Sequence, residues 1–337
     1  MPGRSVRVAL IAALCGAFAA PQGAQAWNAP GHQAIALAGF ERLDADTRRL
    51  VLADLSAHPR FQADIATLAQ DDLGAGALFA AAATWPDVAR GFQHLSWWRG
   101  WQRAGLVERF HRGRWHYVNF AVYLTPADAN LAIADPAPRQ DFRSADAQPR
   151  HILEALALAR ATLAAGNDGA AAATQRGLML AWALHLIGDS HQPLHAVALF
   201  SRTRWPRGDR GGNDVTVSVP GFAGPLTLHY FWDQALLAAA DPARLRALAR
   251  RLVRAQSAVG VDTRPVVWLR ESARAGEHSV YGPLREQLVR SPSVRLDDAY
   301  VARARSTAQA RGALAAARTA AWLQDAYRAR TMGAGRE

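Results

Sequence analysis

Apolar residues return at three- and four-residue spacing through seven long segments, 30–43, 46–55, 149–165, 171–187, 234–258, 263–289 and 296–329. That is the period of a helix with one buried face, and a chain that repeats it so often must pack helices on helices. The expected fold class is all-α. Strand-like alternation is read only at 215–219 and 226–229, with Pro220, Gly221, Gly224 and Pro225 between them, which predicts one small β-hairpin. No internal repeat or linker divides the remainder, so one helical domain is expected over 27–337. Two loops stand out, 91–114 with Trp97, Trp98 and Trp101, and 201–214, rich in Arg and Gly.

Residues 1–26 read differently. Arg4 and Arg7 precede an apolar run from Val8 to Ala20, and Ala24-Gln25-Ala26 forms a small-residue cleavage site. This is the pattern of a secretory leader, so the mature protein is expected to begin at Trp27 and to be secreted or periplasmic. The single cysteine, Cys15, lies in that leader, and Leu14 before it is not the small residue a lipoprotein signal needs. Thiol nucleophiles, disulfides and cysteine-bound zinc are thereby excluded from the mature chain, and any metal must be held by His, Asp, Glu, backbone groups or water. All 39 basic residues are arginine, which excludes lysine Schiff-base chemistry and the Walker phosphate loop. With 50% apolar residues, 20% charged residues and a mean hydropathy of −0.10, the chain reads as soluble, and no second apolar run approaches the roughly 18 residues of a membrane span.

Formal charge is +11, and +9 without Arg4 and Arg7. A balance this basic favours anionic partners, although the arginines are spread among acids, as from Asp44 to Arg49, or along a helical segment, as from Asp241 to Arg251. A solvated arginine surface and one that steers phosphates both fit.

The densest histidine cluster is His185-Leu-Ile-Gly-Asp189-Ser-His191-Gln-Pro-Leu-His195. A helix ending near Asp189 puts His185 and Asp189 on one face, where both can reach one metal ion, and Pro193 then breaks the helix so that His195 can turn towards another. A second pair at the same spacing, His229 and Asp233, stands at the start of the next helix. One such pair is often a surface ion pair or a satisfied core histidine; two, with His195 and no cysteine, point to metal.

Six pieces then make the chain recognisable: Trp27-Asn-Ala-Pro-Gly-His32, Ala83-Thr-Trp-Pro-Asp87-Val-Ala-Arg90, Trp115-His116-Tyr117-Val-Asn119, the 185–195 run, Gly211-Gly-Asn213-Asp, and His229 to Asp233. In kind and order they resemble the zinc-dependent S1/P1 nuclease family, whose helical scaffold is also similar to that of zinc phospholipase C. The resemblance implies three Zn²⁺ on nine residues: Asp87, His116, His185 and Asp189 for the first; His195, His229 and Asp233 for the second; and Trp27, through its α-amine and carbonyl, with His32 and a bridging Asp189 for the third. Leader cleavage would create that amine, ordinarily of pKa about 7.7 to 8.0, and zinc would favour its deprotonated form.

The resemblance also implies hydrolysis of single-stranded DNA and RNA to 5′-phosphorylated products, with 3′-nucleotidase activity, by a monomer. Asp87 would orient the attacking water or take its proton, and Arg90 would neutralise charge growing on the phosphate, though a lone arginine also suits an ion pair. Tyr117 would stack on a base. Asn119 stands where family members often have an aspartate, so base preference is expected to differ. Asn213 would shape the cleft near the phosphate, or serve as a turn residue with unusual backbone angles.

Other residues are read as structural. His191 is expected to make capping or supporting hydrogen bonds, and His58, His94, His111, His151 and His278 have no companion at metal spacing. Trp85, Trp115, Trp182 and Trp232 are expected to pack under the centre, and the tryptophans of loop 91–114 to form a cover rather than a second nucleotide platform. Two other functions weigh against the nuclease: a phospholipase C acting on lipid head groups, whose usual metal set would have Glu at position 233, and a non-catalytic helical zinc-binding module.

Overall fold

The computed structural model describes residues 27–90, 104–136, 148–166, 169–239, 241–257 and 259–334. In chain order the elements are α1 (Ala29–Glu41), α2 (Ala45–Ser56), α3 (Ala66–Leu68), α4 (Ala77–Ala89), α5 (Ala104–Phe110), β1 (Phe120–Tyr123), α6 (Ile152–Ala164), α7 (Ala170–Asp189), β2 (Val197–Phe200), β3 (Thr216–Ser218), β4 (Leu226–Thr227), α8 (Leu228–Asp233), α9 (Pro242–Ala255), α10 (Pro265–Ala275), α11 (Arg285–Arg290), β5 (Ser293–Arg295) and α12 (Asp298–Ala334). The fold is mostly helical, as the periodicity predicts.

Three helices form the middle. Helix α1 is buried from Pro30 to Phe40, α4 from Phe79 to Pro86, and α7 from Met179 to Asp189. Their sequences are apolar on every side, which is the mark of a helix with no solvent face. Helix α1 packs on α4, α9 and α12, and α7 on α2, α4 and α6. Outside them α9 buries only Leu245, Leu248, Ala249 and Leu252. Helix ends are fixed by side chains: Asn28 Oδ1 accepts from Gly31 N at 3.0 Å, Asp44 Oδ1 from Thr47 N at 2.7 Å, and Thr227 Oγ1 from Tyr230 N at 3.1 Å. Such caps are worth about 1 kcal/mol each.

Two expected helices need correction. The helix over 234–258 starts only at Pro242, because Asp241 Oδ1 accepts from Ala243 N at 2.7 Å and from Arg244 N at 3.2 Å, a cap followed by proline in the first turn. His229 and Asp233 consequently sit on α8, a short helix of their own. The helix over 263–289 is broken into α10 and α11 by a wide turn at Gly276–Tyr281 and a tight one at Gly282–Leu284.

The strands exceed the expected hairpin. β3 and β4 do pair antiparallel, Thr216 with Thr227 and Val217 with Leu226, and β5 joins β3 in parallel. A second, two-stranded parallel sheet pairs Phe120 with Val197 through Tyr123 with Phe200. β2 is buried throughout. Parallel strands covered on both faces read as continuous apolar runs and show no alternation, so the period-two pattern misses them. The loop tryptophans Trp97, Trp98 and Trp101, and His94, lie outside the described residues.

Candidate metal centre

The site is assembled where short segments are tied to the end of α7. The parallel pairing of β1 with β2 continues towards their N-terminal ends, where Val118 N donates to His195 O at 2.9 Å and Phe120 N to Ala196 O at 2.8 Å. His116 and His195 therefore arrive side by side. His229 is brought in by the hairpin leading into α8, and His32 by α1. Gly188, one residue before Asp189, leaves room for His32; a Cβ there would stand 2.6 Å from His32 Nδ1.

Three groups of side chains bring ligand atoms within 4.8 Å of one another: His32, Asp87 and His185; His116, His185 and Asp189; and His195, His229 and Asp233. The first two share His185. Asp189 faces both ways, with Oδ1 3.2 Å from His32 Nε2, and Oδ2 3.1 Å from His116 Nδ1 and 3.3 Å from His185 Nε2. His195 Nε2 and His229 Nε2 lie 3.2 Å apart, and His229 Nε2 is 3.6 Å from Asp233 Oδ2.

Backbone carbonyls orient the rings. His185 Nδ1 donates to Ala83 O at 2.9 Å, His195 Nδ1 to His116 O at 2.7 Å, and His229 Nδ1 to Gly211 O at 2.6 Å. A carbonyl can only accept, so each neutral ring carries its proton on Nδ1 and turns the lone pair of Nε2 inward, the arrangement typical of metal-binding histidine. Gly211 has φ +61°, and a Cβ on it would lie 2.5 Å from Leu194 O. Only glycine lets this carbonyl reach His229.

Burial and charge then set the titration of the bare protein. Burial, helped by the charge of His185, lowers His32. Burial also carries His116 down to about 4. At His185 burial opposes protonation, but the carboxylates of Asp189 and Asp87 lift it to about 9. Asp189, despite burial, is held well below the usual carboxylate range by His185, His195 and His116. Asp233 goes the other way: burial and the neighbouring charges of Asp87 and Asp189 push it well above that range. Three carboxylates thus converge on a dry site that favours positive charge.

The donors fit metal ions on an independent observation. His32 Nδ1 and Nε2, His116 Nε2, Asp87 Oδ1, Asp189 Oδ1 and Asp233 Oδ2 are buried atoms without a hydrogen-bond partner. Buried polar atoms are nearly always satisfied, and so many orphans at one place call for a ligand. Nitrogen and carboxylate donors suit zinc.

Trp27 is buried, and its indole Nε1 donates to Gly188 O at 3.0 Å. Asn28 N donates to Asp233 O at 3.1 Å, and Asn28 Nδ2 to Gln234 Oε1 at 2.7 Å and Leu237 O at 2.6 Å. The segment opening at Trp27 is thus stitched to α7 and α8. Arg90 ends α4 with Nη1 3.6 Å from Asp87 Oδ1. Tyr117 is 41% exposed beside buried His116, and Asn119 is partly buried two residues on. Asn213 Nδ2 donates to Arg210 O at 2.8 Å, a turn contact, but the positive φ angles of the 201–214 loop fall on Gly208, Arg210, Gly211 and Gly212.

His191 makes supporting bonds: its Nδ1 donates to Ile187 O at 2.7 Å, and its Nε2 accepts from Arg318 Nη1 at 3.0 Å. Burial and the charges of Arg311 and Arg318 keep it neutral. Arg318 and Arg311 also grip Glu271, at 2.7 and 2.9 Å, and Ser272 Oγ donates to Ser190 O at 2.7 Å. Helices α10 and α12 therefore clamp the 190–192 turn from behind. Trp115 and Trp182 meet edge to face at 4.9 Å, and Trp182 meets the His116 ring at 5.4 Å. Trp85 Nε1 donates to Asp64 Oδ2 at 2.9 Å, and Trp232 Nε1 to Tyr300 Oη at 3.0 Å, which leaves both indoles in the packing beneath the centre. His58 Nδ1 accepts from Arg60 N at 3.1 Å, and exposed His278 Nδ1 donates to Arg274 O at 2.8 Å.

Sequence reasoning missed Gln192, whose Nε2 donates to Asp233 Oδ1 at 2.7 Å while its Oε1 accepts from Leu194 N at 2.5 Å. Its signal was its place between Asp189 and His195, but nothing in the sequence says that Asp233 is the partner.

Among the described residues no helix is long and apolar enough to cross a membrane. A comparison with curated proteins finds no match. The family model described as S1/P1 Nuclease matches residues 27–328, opening at the tryptophan whose indole sits under Gly188 and running nearly the length of α12. With that span matched and His/Asp groups able to bind metal within it, the chain belongs to the S1/P1 nuclease family, a family of zinc-dependent nucleases.

Proposed function

We propose that residues 1–26 are a leader and that residues 27–337 form one domain, a secreted or periplasmic monomeric zinc phosphodiesterase. It cleaves single-stranded DNA and RNA to 5′-phosphorylated products and removes phosphate from 3′-nucleotides at the same site. The observation that carries this reading is that two converging ligand groups share His185 while Asp189 faces both His32 and His116, with buried orphan donors around them.

Asp87, His116, His185 and Asp189 would hold one zinc, His195, His229 and Asp233 a second, and the Trp27 backbone with His32 and Asp189 a third. When bound, zinc supplies Lewis acidity and lowers the pKa of coordinated water. Asp87, through Oδ1, which has no hydrogen-bond partner, orients the attacking water or accepts its proton. Arg90, next to Asp87, neutralises charge on the phosphoryl oxygens as the 3′-oxygen leaves in line. Tyr117 offers an exposed ring for base stacking, worth about 1 to 3 kcal/mol per base and denied to a base inside a duplex. Asn119 meets the base edge with both a donor and an acceptor, and Asn213 holds the loop that borders the phosphate.

The test is metal analysis of protein trimmed to Trp27 beside an activity panel on single-stranded DNA, RNA, 3′-nucleotides and phosphatidylcholine. About three zinc per chain, chelator-sensitive cleavage of the nucleic acids and 5′-phosphate ends are expected. Hydrolysis of phosphatidylcholine alone would make the protein a phospholipase, and no hydrolysis at full metal loading would make it a binding module.

A further inference from the structure

Helix α9 carries five arginines and no acidic residue. Its apolar residues, Leu245, Leu248, Ala249 and Leu252, are buried in one cluster with Trp27 and Ile35. The arginines occupy the opposite side: Arg244, Arg250, Arg251 and Arg254 are exposed, and Arg246 is partly buried and donates to Asp72 O. Among the described residues, those four exposed arginines have no ion-pair partner. Several exposed arginines elsewhere are paired, as in Arg49 with Asp46, Arg210 with Asp214, and Arg264 with Asp262, whereas α9 gathers four unpaired ones on one face. At the far end Arg42 reaches across from α1 to donate to Val253 O at 2.8 Å, adding a further positive charge.

The stripe lies against the helix that bears His32: α9 packs on α1, and Arg42, just after α1, bonds its last turn. From Arg244 to Arg254 the arginines span about 15 Å at the rise of an α-helix. Unpaired guanidinium groups at this density attract a polyanion, and they suit phosphates because each presents a planar fork of donors. An anionic membrane surface fits less well: the apolar side of α9 faces the core, and no large apolar side chain is exposed between its arginines.

We propose that this outward face of α9 is a track for single-stranded polynucleotide, gripping phosphates of the strand beyond the nucleotide being cleaved. The proposal rests on the nuclease reading above. It makes long strands better substrates than nucleotides, through affinity and not through chemistry.

The experiment compares wild-type protein with R244Q/R250Q/R251Q/R254Q, and with the corresponding four-lysine variant, on single-stranded DNA and on a 3′-mononucleotide across a salt series. The glutamine variant should raise KM for DNA about tenfold or more at low salt, leave kcat and mononucleotide kinetics within about twofold, and flatten the log–log salt slope by roughly 0.7 per lost phosphate contact. The lysine variant should restore most of the affinity. Equal loss on both substrates, or no change on DNA, overturns the proposal. So does loss of sedimentation with phosphatidylglycerol vesicles while DNA kinetics stay intact, which would assign the face to membranes. Anisotropy of a fluorescent phosphorothioate oligonucleotide reads binding without turnover, so an inactive wild type that still binds through these arginines would fail the nuclease reading and not this one.

Discussion

Gly188 and His32 meet so closely that one added carbon on Gly188 would lie 2.6 Å from His32 Nδ1. A face of the same ring stacks on His185 with centroids 4.1 Å apart, so a shift of His32 disturbs its neighbour as well. Gly188→Ala should displace His32 and cost about 1 to 3 kcal/mol, the usual penalty for overpacking a closed core. Zinc content should fall by one ion per chain, with a lower melting temperature. An alanine variant with full zinc content would contradict this geometry.

Gln192 joins the last turn of the ligand run to α8. Replacing it with leucine leaves Asp233 Oδ1 and Leu194 N without their partner and should destabilise the protein by about 1 to 3 kcal/mol. Gln192→Glu keeps an acceptor for Leu194 N but places a second negative charge against Asp233. The glutamate variant should therefore lose more stability than the leucine variant at neutral pH, and less as the pH falls. Thermal melts of both variants from pH 5 to 8 check the order.

Asp209 is buried within the 201–214 loop, with Oδ1 accepting from Leu199 N at 2.9 Å and Oδ2 from Tyr281 Oη at 2.7 Å. Burial raises its carboxyl to about 6 despite these bonds. The folded protein therefore keeps a proton that the unfolded chain has released, and this contribution to stability is fully present below pH about 4 and lost as the pH rises through about 6. The whole swing is on the order of 3 kcal/mol. Asp209→Asn should flatten that part of the stability profile; an unchanged slope in denaturant titrations between pH 4 and 7 would remove Asp209 as its source.

Removing metal should loosen the fold as well as stop the reaction. Asp87, Asp189 and Asp233 converge on one site, and Asp233 is already pushed upward by burial and by the charges of the other two when no cation is present. Chelation should lower the melting temperature, and zinc should restore it. Protein that retains Ala26 should bind fewer ions than protein starting at Trp27, because the amide that replaces the free amine has no lone pair to donate. Equal stoichiometry in the two forms would take Trp27 out of the ligand set.

The helical periods made the fold class legible, and the His185–Asp189 and His229–Asp233 spacings marked two ligand groups, because a side chain's place on a helix follows from its number. Distances between segments were not legible in the same way. β2 carries no alternation because it is buried throughout, so the pairing with β1 that sets His116 beside His195 left no pattern to read. The break before α9 was written in Asp241-Pro242, but the apolar spacing continued across it and concealed the stop. Gln192 bonds a residue 41 positions away, a choice made by packing alone.

Parts of this centre and its support come from α1 and α12, far apart in the sequence. Trp27 and His32 stand at the start of α1, and the turn after Asp189 is braced from behind by Arg311 and Arg318 on α12. A nascent chain emerging from the ribosome gains this brace only once α12 has been made, so a polypeptide interrupted before α12 is left with a turn that lacks it. Translation order thus makes the support of the reactive site a later event than the synthesis of its inner residues.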